Sequence, residues 1–127
     1  MKRRDFVQST LAGAAVAGLR VPTVRTPPFE FRNATLAELQ AAMRAGRVTA
    51  AALTAAYLER IDALDHRGPA LHALIELNPD APAISAALDT ERRSRGPRGP
   101  LHGIPVLIKD NIATADRMHT SAGSLAL

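Results

Sequence analysis

Gly99-Pro100-Leu101-His102-Gly103-Ile104-Pro105-Val106-Leu107-Ile108-Lys109-Asp110-Asn111 is the stretch that decides how the whole chain reads. Turn formers crowd its first half, Val106-Leu107-Ile108 is a continuous apolar triplet, and Lys109-Asp110-Asn111 returns it to polar residues. An apolar run without polar alternation, set between turn residues, predicts a strand buried on both faces, as in a sheet covered by helices. Lys109 follows that strand directly and is the only lysine after Lys2; the other basic residues of the body are arginines. A guanidinium does not give up its proton, whereas a desolvated lysine can lose one near neutral pH and act as a base. A lysine snorkelling at a strand end and pairing with Asp110 fits the same position, so the spacing leaves both readings open.

Upstream of this stretch the pattern is helical. Thr35-Leu36-Ala37-Glu38 fits a capping box, Leu36, Leu39 and Met43 share one face, and Gly46 offers a C-terminal stop. Thr49 can cap a second helix in which Leu53, Tyr57, Ile61 and Leu64 recur at three-to-four spacing, ending near His66 before Gly68-Pro69. Leu71 to Leu77 is a brief apolar run suited to a strand. Asn78-Pro79 supplies a cap and a first-turn proline for a third helix. Asp80 sits near its positive end, Arg92, Arg93 and Arg95 near its negative end, and Gly96-Pro97 terminates it. Its apolar stripe of Ile84, Ala87 and Leu88, continued by Glu91, predicts a core-facing surface. Helices alternating with apolar strands give an α/β fold class, with N-terminal helices leading into a mixed sheet covered by helices.

Charge separates the chain at about residue 25. Lys2, Arg3, Arg4, Arg20 and Arg25 stand against Asp5 alone and account for the whole formal charge of +4; beyond them basic and acidic residues balance. The body therefore has no electrostatic footprint for a polyanion, and the whole chain, with one tyrosine, three phenylalanines and no tryptophan, has no set of stacking platforms, so nucleic acid is excluded as a partner. The absence of cysteine excludes thiolate metal sites and a cysteine nucleophile in these residues. His66, His72, His102 and His119 are not spaced to present a metal from one helix face, so no metal is expected, and nothing in the apolar helix stripes requires a cofactor. His66, where the second helix ends, reads as a cation near terminal carbonyls.

The basic residues before an uncharged stretch from Phe6 to Leu19 read as a secretory signal. Paired Arg3 and Arg4, with Phe6 two places on, resemble a twin-arginine (Tat) signal, and a Sec signal is the alternative. Cleavage is expected after Ala17 or nearer Pro22 to Thr26, an uncleaved anchor being a further option, and 20–28 is a proline-rich linker. The expected destination is the periplasm or the exterior, with no stable membrane span beyond the signal. Residues 1–25 are thus read as signal and linker, and 26–127 as the body.

Gly103-Ile104-Pro105-Val106-Leu107-Ile108-Lys109-Asp110-Asn111-Ile112, followed by Thr120-Ser121-Ala122-Gly123-Ser124, resembles the first conserved block of the amidase-signature family. GRVTAAALTAAYLERIDALD and LNPDAPAISAALDTERR upstream are similar to the helical N-terminal part of bacterial amidases of that family, so the resemblance covers nearly everything after the signal. It implies the amidase-signature fold, present here in part, and hydrolysis of small-molecule carboxylic amides by a Ser-cis-Ser-Lys triad. Lys109 would be the triad's base, and the two serines would lie downstream of this chain, which alone is expected to be inactive. Asp110, Ser121, Gly123 and Ser124 would border or position the site. Asp110 would orient Lys109 or a neighbouring amide. Ser121 stands where many relatives have threonine, which keeps the hydroxyl, and Gly123 would permit a tight turn or close approach before a helix opening at Ser124. The amidase subunit of a tRNA-dependent amidotransferase carries a similar block, but an export signal argues against a cytoplasmic tRNA substrate; a non-catalytic truncated product is the third reading. Replacing Arg3 and Arg4 by lysine in a reporter fusion to the first 25 residues is expected to abolish export. Export that persists in those variants and in cells without the Tat translocase would show a different route.

Overall fold

Thr35 opens the first helix, α1 (Leu36–Arg44), through the reciprocal contacts of a capping box. The Glu38 amide donates to Thr35 Oγ1 at 3.2 Å, and the Glu38 carboxylate accepts from the Thr35 amide at 2.7 Å. The helix closes on a Schellman arrangement, with the Arg47 amide on the Ala42 carbonyl at 2.9 Å and the Gly46 amide on that of Met43 at 3.1 Å. In this computed structural model, which describes residues 30–124, α2 (Ala50–Ile61) and α3 (Ala81–Arg95) follow. The expected signal, with Arg3, Arg4 and its cleavage sites, lies outside the described residues, as do the residues after Ser124 where a helix is expected.

Helix α2 carries the predicted stripe: Leu53 is fully buried, and Tyr57, Ile61 and Leu64 are half-buried. At its end the chain widens into a π-helical turn, Asp62–His66, closed by the Arg67 amide on the Asp62 carbonyl at 2.9 Å. His66 lies 3.6 Å from an Asp62 carboxylate oxygen and 3.9 Å from one of Asp65. The apolar centre consists of Leu39, Met43, Ala50 and Leu53, flanked by Phe31, Ala34, Val48, Tyr57 and Ile104. Burying one leucine contributes about 1.5–3 kcal/mol, so a cluster this small leaves the helix arrangement to polar cross-links.

One of these adds to the local cap of Thr49. The Asp89 carboxylate, buried on α3, accepts from the amides of Ala50 at 2.7 Å and Ala51 at 2.9 Å, while Thr49 Oγ1 accepts from Ala52 at 3.1 Å. Three of the four open amides at the start of α2 are thereby satisfied, two of them by an anion where the helix dipole favours one.

Three sequence expectations change. The buried face of α3 is polar, Ser85 and Asp89, whereas Ile84 is exposed and Leu88 half-buried on an open cleft. The apolar stripe was therefore not the face that packs on α2, because amides at the start of α2 demand an acceptor that only the polar face carries. Helix α3 also begins two residues later than Asn78-Pro79 implied: Asn78 Oδ1 accepts from the Asp80 amide at 2.8 Å, Asp80 is the cap residue, and Pro82 lies in the first turn. Finally, no strand forms among the described residues, so the mixed sheet is not built by them. In 71–77 the amides of Leu71, His72 and Ala73 are drawn back onto Leu64 O, Asp65 O and Asp65 Oδ1, and His72 adopts φ +48°, which breaks strand geometry. Val106, Leu107 and Ile108 are exposed at 62%, 74% and 44%, unlike a strand covered on both faces, since none of the described residues forms a strand to pair with them.

Asp89→Ala in the full-length protein should destabilise it by about 2–4 kcal/mol, since two buried amides lose their acceptor. Asp89→Asn, which keeps one acceptor oxygen, should cost about half as much. Denaturant unfolding with an unchanged m-value is the measurement, and an alanine variant as stable as the parent would remove this cap from the account.

Candidate active site

The segment that carries Lys109 starts from a clamped turn. His102 and Gly103 are buried, and three helices contribute to holding them. The His102 carbonyl accepts from Arg92 Nη2 of α3 at 2.7 Å and from Gln40 Nε2 of α1 at 3.1 Å, and Gln40 Nε2 also reaches the Pro100 carbonyl at 2.8 Å. Arg92 Nη2 further contacts Gln40 Oε1 at 3.0 Å, which joins α1 to α3. Gly103 has φ +77°, and a Cβ placed there would lie 2.8 Å from the Ala50 Cβ, so neither the backbone conformation nor the space allows a side chain where α2 begins.

From Gly103 the chain runs through the exposed apolar residues to Lys109, whose side chain is also exposed. Asp110 does not pair with it. The Asp110 carboxylate accepts from the Ser121 hydroxyl at 2.6 Å and from the Ser121 amide at 3.3 Å. These two bonds, the hydroxyl first, hold the Asp110 carboxyl below the usual carboxylate range, with smaller help from the Gly123 and Ala122 amides and burial opposing. Residues 121–124 form a tight turn: Ala122 and Gly123 have φ of +49° and +76°, and the Ser124 amide donates to the Ser121 carbonyl at 2.7 Å. A Cβ placed on Gly123 would meet nothing within 4 Å, so this glycine serves a turn and not a close approach. The structure thus joins Asp110, Ser121 and Gly123 in one loop and carries Ser124 at its end.

This loop and Lys109 open on one broad cleft of about 1300 Å³. Tyr57 and Ile61 of α2, Ile84 and Leu88 of α3 and the 104–108 run supply its apolar walls. Its rim is polar and cross-linked. Arg117 makes a two-pronged contact with Asp80, with Nε to Oδ2 at 2.8 Å; Asn78 donates to Asp116 at 3.1 Å; the His119 amide donates to Glu76 at 2.8 Å. Exposed pairs of this kind contribute little to stability, but together they fix 114–119 against 76–80. An apolar cleft with a few polar groups suits a small organic substrate, and inside the Arg117-bearing rim Lys109 and His119 are the basic side chains among its described lining residues. Among the described residues no group of three or more side chains is placed to hold a metal, and no helix is long and apolar enough to cross a membrane.

Sequence reasoning missed Gln40, Asp89, Arg92 and His102, because each acts across tens of residues. For Gln40, Asp89 and Arg92 the available signal was a polar residue at a helical position otherwise suited to the core face; His102 lies in a turn and offered no such signal. Asp80, read as lying near the positive end of the third helix, is its cap residue and also pairs with Arg117.

A titration tests the loop. A carboxyl whose folded value is lowered contributes stability above its ordinary value, about 3.9, and that contribution disappears as pH falls through the lowered one. The Asp110 carboxyl carbon, followed by NMR, should titrate below that ordinary value, and Ser121→Ala should move its midpoint up; an unmoved midpoint would uncouple the two residues.

Comparison with known proteins places this geometry. The Amidase family model matches residues 52–127. The native peptide amidase of Stenotrophomonas maltophilia, known from an X-ray structure, is 58% identical with a TM-score of 0.75, over 79% of this chain and 20% of that one. An amidase family protein from Bacillus anthracis is 40% identical with a TM-score of 0.71, over 88% of this chain and 22% of that one. One subunit of the glutamyl-tRNA(Gln) amidotransferase of Chloroflexus aurantiacus is 44% identical over 99 residues, which are 77% of this chain and 20% of that protein. The chain spans about a fifth of the length of these relatives. Its helices, its lysine-bearing segment and its match across residues 52–127 together show that the chain belongs to the amidase family.

Proposed function

We propose that this chain supplies the base, and part of the substrate cleft, of an amide hydrolase in which the two serines come from sequence outside the 127 residues. The observation that carries the reading is Lys109, set between a clamped glycine turn and the Asp110–Ser121 loop on the wall of the apolar cleft. In the proposed reaction the unprotonated Lys109 amine takes a proton, through a bridging serine, from the nucleophilic serine as that oxygen attacks the amide carbon. Collapse of the tetrahedral intermediate breaks the C–N bond, and the same proton passes back to the departing amine. Water then attacks the ester by the same relay, releasing the acid and restoring the serine.

A base of this kind must be desolvated. The proposal therefore has the exposed 104–108 run and Lys109 covered in the longer protein, with the run as an inner strand of the sheet. Higher identity to a peptide amidase than to the amidotransferase favours an amide borne on a peptide as the substrate class. The Arg3-Arg4 signal, read from sequence, adds export by the Tat pathway to the proposal.

Lys109→Ala in the full-length protein should lower kcat for a simple peptide amide by ~10²- to 10⁴-fold or more, with circular dichroism unchanged. Lys109→Arg should fail equally, because a guanidinium keeps the charge and cannot accept the proton. Near-normal turnover in the arginine variant would make Lys109 a structural cation.

A further inference from the structure

We propose that His102 is a positioning residue, whose ring pins the turn at Gly103 to α3 and thereby sets the register in which the 104–108 segment delivers Lys109 to the cleft. The inference rests on Lys109 as the base and deepens that reading. The His102 side chain is 6% exposed, and both ring nitrogens are engaged. Nδ1 lies 3.3 Å from the Arg98 amide, which can only donate, so Nδ1 accepts and carries no hydrogen. Nε2 therefore bears the hydrogen and donates to the Leu88 carbonyl of α3 at 2.9 Å. One ring thus ties the turn to the loop after α3 and to the middle of α3 itself.

The reason for such a tie lies in the geometry of an extended segment. In the inner strand proposed for 104–108 side chains would alternate with a period of two, so a slip of one residue would send Lys109 to the opposite face. Among the described residues no backbone hydrogen bond holds 105–108, so within them the clamped turn is what positions the segment. Arg92 and Gln40 grip the backbone carbonyl there, which any residue could offer. The ring contacts are what require histidine at this position. Gln40 and Arg92 would hold a turn of the right shape, and His102 would hold it at the right height along α3.

The test uses the full-length protein and two side chains that divide the ring's functions. His102→Gln places an amide nitrogen where Nε2 was and can still donate to Leu88. His102→Asn keeps an acceptor on the Nδ1 side and loses that donor. His102→Ala and His102→Asn should lower kcat by about 10- to 100-fold with KM within about threefold, as expected for a misplaced base. His102→Gln should recover to within about threefold of the parent. In the Lys109→Ala background His102→Ala should add no further loss, because both changes act through one group. Independently of turnover, hydrogen exchange of the non-proline amides of 103–109 should quicken at least about tenfold in His102→Asn, with that of α1 unaltered.

Equal behaviour of the asparagine and glutamine variants, losses that multiply with that of Lys109→Ala, or unchanged exchange at 103–109 would each overturn the proposal. Should His102→Ala not fold, the glutamine and asparagine pair carries the same comparison. Should Lys109→Ala retain full turnover, the reading of Lys109 as the base falls, and the exchange measurement alone then decides whether His102 pins the segment.

Discussion

The two hydrogen bonds from the Ala50 and Ala51 amides to the buried Asp89 carboxylate fix where α2 begins relative to α3, and the rest of the described structure is referred to that point. Ala50 is fully buried and forms the wall against which Gly103 packs without a side chain. One turn farther along α3 from Asp89, Arg92 reaches the His102 carbonyl next to that glycine. A carboxylate at a helix start and a guanidinium one turn away on the same helix therefore set both ends of a short path, from α2 through the glycine turn to the lysine-bearing segment. Charge-assisted bonds in a partly dry setting are about twice as strong as neutral ones. That strength suits them to a frame whose apolar centre has only four buried members.

This frame leaves its apolar stripes unused in an informative way. Ile84 and Leu88 on α3, Tyr57 and Ile61 on α2, and Val106 to Ile108 all turn toward the same cleft. Contiguous apolar surface of that kind marks a binding groove or a face that another part of the protein covers. Relatives about five times as long match both in sequence and in tertiary structure, which supports the second meaning for 104–108 and the first for the part of the cleft beside Lys109. The hydrolytic chemistry proposed for Lys109 needs both, since the base must lose its water while the substrate still reaches it.

The Asp110 loop illustrates how polar groups near a lysine need not act on it. An ion pair between Lys109 and Asp110 would hold the amine charged, against its proposed task. Asp110 is instead occupied by the hydroxyl and amide of Ser121, eleven residues on, so the carboxylate shapes the 121–124 turn. The amine is thereby left to groups that approach it from the cleft.

What the sequence determined by itself was local. The capping box at Thr35 and Glu38, the stop at Gly46, the stripe of α2 and its end near His66 are set by residues within a few positions of one another, where spacing alone dictates which groups meet. Lys109 stands out in the sequence because it is one lysine among arginines, and because the block around it resembles a family. The tertiary structure decided which face of α3 packs, which amides of 71–73 turn back on the π-helical turn, and that Asp110 meets Ser121. It also brought Gln40, Asp89, Arg92 and His102 together across separations of up to 62 residues. Hydropathy patterns rank side chains by their cost in water, and they do not record that an open helix end in another segment needs an acceptor. That need, met by Asp89, turned a polar face inward and left an apolar one for the cleft.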